Sequence, residues 1–535
     1  LAWVPDDRTK PSAAIGMTSG PGDVPVDGVP DTGAARPRRR WLRWLGFLFL
    51  LGLIVTVLLS FHQPPMRLMP VPLAFEKSGA RLFAANANLA ADNRIELFYA
   101  SNRLAVGPRN DRIHAIAPGR DLLLGVTSIR IGDEGTGWDR VLEWSMGVDG
   151  GKRPQLILQR MVELATLGGD EPLPGPGPVR DPALRAWLGL VDDALARSAD
   201  PDIIIYVHGA NSTVERAAGQ AAQLRHFTGQ NSVVLLFAWP TAENFLVYPR
   251  DIVKAFGAAP QLARLVGLLA AHTRARRIDV LSYSAGGTVA SDGLALLGAE
   301  AASRGYDPRL GEVHHAAPDA DFRGFVGDLR DYAGTADRVT VSLNMQDSAL
   351  RLSEVINRAS RAGRPDLREL SPGDLRFLRQ ANRELGLEIV EVRGEDIPGM
   401  SRRSHGFWYM DPWVASDVLL KLMFSAQAPE RGLVRTAGPE ELEIWRFPAD
   451  YDARLPGVIA GVSAGGGADQ TISGGADQTI SGGADQTISG GADRPARGGA
   501  DRPARGVADQ TISGGADQTS AGSGRGEGSA APARP

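Results

Sequence analysis

Residues 277–297 read RIDVLSYSAGGTVASDGLALL: an apolar run closes at Ser282, small residues follow, and apolar side chains then recur at helical spacing from Val289 to Leu297. A strand that gives way to a helix through Ser-x-Ser-x-Gly is the pattern of a nucleophile elbow. There the reactive serine stands on a tight turn, and the positions two before and two after it must be small for neighbouring backbones to pass. Ser282 and Gly286 meet that requirement around Ser284, with Ser282 standing where glycine is commoner. A bare SxSxG also fits a plain helix cap; the strand before it and the helix after it give it weight.

On both sides of this stretch, from about Ala74 to about Phe447, short β-branched or apolar runs alternate with amphipathic ones. The strands expected are Asp202–Val207, Ser232–Ala238, Arg277–Ser282, Glu312–His315, Arg338–Leu343 and Leu387–Val392. The helices expected are Thr213–Phe227, Ala258–His272, Ala285–Leu297 and Leu350–Arg361. This alternation predicts an α/β fold, a mostly parallel central sheet with helices on both faces. Extended runs within Ile95–Gly132 are expected to add strands, and the Gly- and Pro-containing segment Gly168–Pro182 reads as a loop.

Three further segments complete a candidate site. His208-Gly209-Ala210-Asn211 follows the apolar strand DIIIYV and precedes a helix. A loop there can lend a peptide NH from Ala210 or Asn211 to pair with that of Ala285 around a developing oxyanion, Gly209 allowing close approach. His208 is read as a brace for that loop. The base is sought downstream, because elbow enzymes of this kind order their triad Ser, acid, His along the chain. Only His314, His315 and His405 follow Ser284, and only His405 lies beyond the last expected strand. Asp347, in the loop after Arg338–Leu343, is the expected acid, with Asp319 and Asp321 as alternatives after the preceding strand. His314, His315, Asp319 and Asp321 make a poor metal set, since adjacent strand residues point to opposite faces.

The span from about Ile95 to Phe424 resembles an uncharacterised esterase/lipase-like branch of the α/β-hydrolases, a domain of unknown function. The resemblance rests on FYASNR from Phe98 to Arg103, HGAN from His208, and FAWP from Phe237 with Tyr248 and Asp251. It rests also on the elbow at Ser284, AAPD from Ala316, DSAL from Asp347 and His405-Gly406. Ala210 departs from the branch, where an aromatic residue is usual, and so do Ser282 and Gly287. The resemblance implies hydrolysis of an ester-like bond through Ser284, Asp347 and His405, with no cofactor and no natural substrate named. A catalytically silent binding or scaffold protein on the same fold, or a peptidase or amidase using the same triad, are the rival readings.

The two ends have a different character. Residues 1–35 are rich in Gly, Pro and Asp without apolar period and read as a disordered leader. Arg36 and Arg38–Arg40 then precede Trp41–Phe61, whose single charge is Arg43 and whose length suits a bilayer-spanning helix. The cationic flank predicts a cytoplasmic N-terminus and an exported remainder, and the Ser60–Pro64 exit lacks the small-x-small pattern of a cleaved signal. From 461 to 535 an octapeptide, GGADQTIS, recurs with aspartates every eight residues from Asp469 to Asp517, two copies reading ADRPARG. One isoleucine per copy is too little apolar surface to offset chain entropy, so the tail is expected to be a disordered spacer. The net charge of -4 over 535 residues gives no basic field, which sets nucleic acid aside as a partner. Zero cysteines excludes disulfides and thiol nucleophiles. The expected partners are a membrane, through one N-terminal helix, and a small-molecule or lipid ester.

Overall fold

The computed structural model describes residues 38–60, 64–79, 81–84, 86, 89, 91–148, 150, 152–169 and 177–469. The apolar runs of the sequence are strands of one sheet. In chain order they are β1 Arg94–Val106, β2 Ile113–Ile131, β3 Leu156–Leu158, β4 Val162–Leu167, β5 Ile203–Val207 and β6 Val233–Ala238. There follow β7 Ile278–Tyr283, β8 Leu310–Ala316, β9 Ala336–Leu343, β10 Leu387–Glu391, β11 Val434–Ala437 and β12 Glu443–Arg446. Across the sheet the order is β11-β12-β10-β9-β8-β7-β5-β6-β1-β2-β3, with β4 also on β2. Every pair from β12 across to β1 is parallel. β11 on one side and β2, β3 and β4 on the other attach antiparallel.

A parallel sheet must be covered on both faces, and its strands then read as nearly continuous apolar runs. On β5, Ile203, Ile205 and Val207 enter one apolar cluster while Ile204 and Tyr206 enter the other. All five are fully buried, each contributing roughly 1.5–3 kcal/mol. The first cluster lies under helices Pro182–Arg197, Tyr248–His272, Gly286–Arg304, Phe322–Tyr332 and Pro372–Glu384. The second lies under Leu73–Ser78, Val214–Phe227, Pro412–Phe424 and Tyr451–Asp469. The chain lays β6 on one side of β5 and then crosses to lay β7 on the other, and the helices after β5 and β7 cover opposite faces. Their loops therefore part at the carboxyl ends of the strands and open the crevice in which α/β sheets gather their ligands.

Several boundaries differ from expectation. The helix expected at Ala258 begins at Tyr248, because Ile252 and Ala255 carry its buried stripe upstream and Pro260 sits on the exposed side. The helix expected at Leu350–Arg361 runs Ser348–Asn357 and stops at Arg358, whose φ of 55° is left-handed. The domain also outruns 74–447: Leu68 and Met69 are buried before it, and Tyr451, Leu455 and Ile459 after it. Helix Tyr451–Asp469 thus takes in residues 461–469 of the expected tail. The charged stretch Arg361–Glu384 contains helix Pro372–Glu384, packed on β10 and on helix Phe322–Tyr332. It is an outer layer of the sheet. The leader, the remaining octapeptides and positions 170–176 of the Gly168–Pro182 loop lie outside the described residues.

Arg38–Ser60 is a single 23-residue helix with Trp41, Trp44, Phe47 and Phe49 exposed. Among the described residues Tyr248–His272 is the one helix long and apolar enough to cross a bilayer, and it is mostly buried as a core helix; within Arg38–Ser60 the apolar stretch is the shorter Arg43–Val55.

Two interior features stand apart from the apolar core. Lys421 is fully buried, 2.6 Å from Glu312 and 3.3 Å from Glu388, while Arg431 reaches Glu388 at 3.0 Å and Asp417 at 2.6 Å. Burial alone would raise the Glu388 carboxyl, but the charges of Arg431 and Lys421 hold it well below the usual carboxylate range. Between helices Phe322–Tyr332 and Pro372–Glu384 and strands β9, β10 and β12 lies an apolar cavity of about 190 Å³, with Leu329, Val341, Ala362, Leu378 and Ile389 among its walls.

Candidate active site

β7 ends in the turn that carries Ser284, and the geometry there is tightly determined. Ser284 has φ 54°, in the left-handed region that a non-glycine residue adopts only under constraint. Its NH donates to the Ala316 carbonyl at 3.1 Å, and its own carbonyl accepts from Gly287 and Asp319, both at 2.8 Å. Gly286 has no room for a side chain: a Cβ would lie 2.5 Å from the carbonyl oxygens of Val207 and His208. Gly209 is equally pressed, its would-be Cβ 2.9 Å from the Cβ of Ser284. The loops after β5 and β7 are thus packed backbone against backbone, which explains why small residues stand at those positions.

The two serines of the elbow have different partners. Ser282 is fully buried beneath the turn, its Oγ 2.8 Å from His315 Nδ1, whose Nε2 meets the Tyr332 hydroxyl at 3.0 Å. Ser284 is part-exposed, and its Oγ lies 2.8 Å from His405 Nε2. His405 Nδ1 lies 2.7 Å from Asp347 Oδ2. A carboxylate can only accept, so Nδ1 carries the proton and Nε2 keeps a lone pair toward the serine. Asp347 follows β9 and is fully buried. Its other oxygen accepts from the NH groups of Ala349 and Leu350, so the same carboxylate caps helix Ser348–Asn357.

The acids weighed as alternatives are engaged elsewhere. Asp319 binds Arg361 at 2.6 Å, Ser353 at 2.6 Å and the Tyr248 hydroxyl at 2.5 Å in a buried cluster. Asp321 caps helix Phe322–Tyr332 through the Gly324 NH. His314 and His315 do point apart, the former 2.8 Å from Ser342.

In the HGAN loop, the Asn211 NH donates to Asp251. Among the described residues no hydrogen bond engages the NH of Ala210 or of Ala285, so these two donors remain for a ligand. His208 stacks on Trp239, ring centroids 5.4 Å apart, and its carbonyl accepts from the Trp239 indole at 2.6 Å. Burial, aided by the Arg103 charge, lowers its pKa to about 3, so the ring is neutral. It is a brace.

Residues 184–394 match the family described as alpha/beta hydrolase of unknown function (DUF900). This stretch is an α/β-hydrolase domain. Among solved structures the chain is similar to a Pyrobaculum calidifontis esterase, at 15% identity over 42% of this chain and 76% of that one, with a TM-score of 0.25. It is similar also to an inhibited esterase B from Lactobacillus rhamnosis, at 14% identity over 30% and 63%, with a TM-score of 0.19. No curated protein matches the chain.

Three residues that position the hydrolase site carried no role in the sequence reading. Arg103, buried at the far end of β1, donates to the carbonyls of Trp239 and Ser212, to Thr241 and to Glu243. It ties the loops after β5 and β6 together. Asp251 accepts from the NH groups of Asn211 and Ala242. Asn344 donates to the carbonyls of Arg402 and Ser404, tying the His405 loop to the Asp347 loop. Arg103 and Asp251 stood in the sequence only among the residues that carry the family resemblance, and Asn344 only as a polar residue at the end of an apolar strand.

Proposed function

We propose that this chain is a membrane-tethered serine hydrolase that cleaves an ester-type acyl bond through an acyl-enzyme. The observation that carries the reading is the unbroken line Asp347 Oδ2, His405 Nδ1, His405 Nε2, Ser284 Oγ, with contacts of 2.7 and 2.8 Å, ending on a strained elbow serine. In this reading His405 Nε2 takes the Ser284 proton as Oγ attacks the carbonyl carbon. The oxyanion that forms accepts hydrogen bonds from the NH groups of Ala285 and Ala210. Its collapse breaks the bond to the leaving alcohol, which takes the proton from His405 and departs. Water, deprotonated by His405 in turn, attacks the acyl-serine; collapse frees the carboxylic acid and returns the proton to Ser284. Asp347 holds the ring in the required tautomer and stabilises the transient imidazolium. The chain's own groups supply every proton transfer.

The tether is helix Arg38–Ser60, about 35 Å long at 1.5 Å per residue and so long enough for a hydrocarbon core of about 30 Å. With Arg36 before it and Arg38–Arg40 in its first turn, the cationic end stays in the cytoplasm and the hydrolase domain stands on the exported side of the membrane. The decisive experiment is labelling by a fluorophosphonate together with hydrolysis of a short activated ester. Ser284→Ala should lose both, the turnover by about 10³-fold or more, while remaining folded. A Ser284→Ala protein with undiminished turnover would sink the assignment.

A further inference from the structure

Apart from Val148, Leu190 and Leu296, the large apolar side chains left exposed on the hydrolase domain gather at one edge. Helix Tyr248–His272 and the turn before it leave β6 at its carboxyl end, and helix Ser348–Asn357 leaves β9 at the same edge. On these two elements Leu246, Val253, Phe256, Leu352, Val355 and Ile356 are 40–71% exposed. The two helices are adjoined: the Tyr248 hydroxyl lies 2.7 Å from Ser353 Oγ. The far end of the β1–β2 hairpin projects past Ala238, the last residue of β6, and leaves Leu104, Val106, Ile113 and Ile116 exposed. Lys254 joins hairpin to helix by donating to the Ile116 carbonyl at 3.1 Å. Ser284, Asp347 and His405 all follow carboxyl ends of strands, so this rim surrounds their edge of the sheet.

Soluble domains rarely leave so much contiguous apolar surface beside a site unless something covers it. Two observations select a bilayer. Exposed Arg250, Arg351, Arg358 and Arg402 are interspersed with the rim, the pairing of apolar and cationic side chains that suits an anionic lipid surface. The tether also enters close by. The Met66 side chain packs against Gly219, six residues into helix Val214–Phe227, about 8 Å from the end of that helix nearest the site edge. From Ser60 to Met66 the chain reaches at most about 20 Å, so the domain is held against the membrane that receives the helix.

We propose that this apolar rim seats on the lipid bilayer and that the substrate is an acyl ester presented in that bilayer, not one dissolved in water; the substrate half rests on the hydrolase reading above. The chain has no cysteine, so single labels can be placed without background. The full chain, reconstituted in phosphatidylcholine vesicles containing phosphatidylglycerol, would carry an environment-sensitive fluorophore at Val253→Cys or, as control at the opposite edge, at exposed Ser303→Cys. The label at 253 should shift to the blue and be quenched by spin-labelled lipid, and the label at 303 should not. In parallel, Val253→Asp/Val355→Asp should lower hydrolysis of p-nitrophenyl palmitate held in the vesicles by about tenfold or more, leaving p-nitrophenyl acetate in solution within about twofold. Indistinguishable labels, or a double variant with unchanged vesicle rate, overturn the proposal. A double variant that only loses mass in detergent and slows equally on both esters overturns it in favour of a protein interface. A chain that embeds its 253 label but hydrolyses neither ester supports the bilayer contact and overturns the hydrolase reading instead.

Discussion

Asp347 is linked at once to a helix start and to His405, and the two roles can be separated by substitution. In Asp347→Asn the side-chain oxygen still accepts from Ala349 and Leu350, while the preference for the tautomer that leaves Nε2 free is lost. Turnover should fall by about 10³–10⁴-fold with the melting curve little changed; loss confined to KM would contradict the role. Asn344→Ala acts one step back, freeing the loop that carries His405, and should lower kcat by about tenfold while Asn344→Asp recovers little, since the lost groups are donors. His208 provides a test by pH. Its unfolded ring titrates near pH 6.5, whereas in the fold it stays neutral down to about 3. The unfolded chain therefore binds the extra proton between those values. The stability tied to this ring is intact above about pH 6.5 and falls as pH drops toward 3, by up to ~1.4 kcal/mol per unit. Its NMR ring signals should not move between pH 5 and 8; a transition near 6.5 would refute the buried brace.

The ion cluster under β8 and β10 sets the energetics of one element. Lys421→Ala leaves buried Glu312 with Arg338 alone and takes one of two cations from Glu388 and should cost about 3–5 kcal/mol in urea unfolding, whereas breaking an exposed pair such as Arg454 with Asp450 should leave the unfolding midpoint nearly unchanged. In the apolar cavity, Ala362→Val should stabilise by roughly 0.5–1 kcal/mol, since it fills space that no side chain occupies. These elements also mark where the sequence was and was not legible. β5 and β6 could be read because parallel strands buried on both faces are nearly unbroken apolar runs. The elbow could be read because sterics force small residues around Ser284. The start of helix Tyr248–His272 was missed because upstream of Ala258 its buried Ile252 and Ala255 alternate with exposed apolar Val253 and Phe256, which blurs the helical period. The ion cluster joins residues 312, 388, 417, 421 and 431, and no local pattern predicts which distant charges will share an interior. Asp347 was separable from Asp319 by strand order, but the reason, that Asp319 is already held by Arg361, Ser353 and Tyr248, required the fold.

The whole chain couples this domain to helix Arg38–Ser60, and deleting residues 38–60 should release the protein from membranes into the soluble fraction on carbonate extraction; retention would show that the apolar rim alone suffices for binding. The elbow, too, acts on the whole molecule. Folding must hold Ser284 at φ 54°, a conformation disfavoured by about 1 kcal/mol or more for a residue with a Cβ and free of that penalty for glycine. Ser284→Gly should therefore melt roughly 1–2 °C higher than the parent while losing fluorophosphonate labelling altogether. Heat tolerance and reactivity are set against each other at this one position, so a screen for thermostable variants run without an activity filter would select inactive ones.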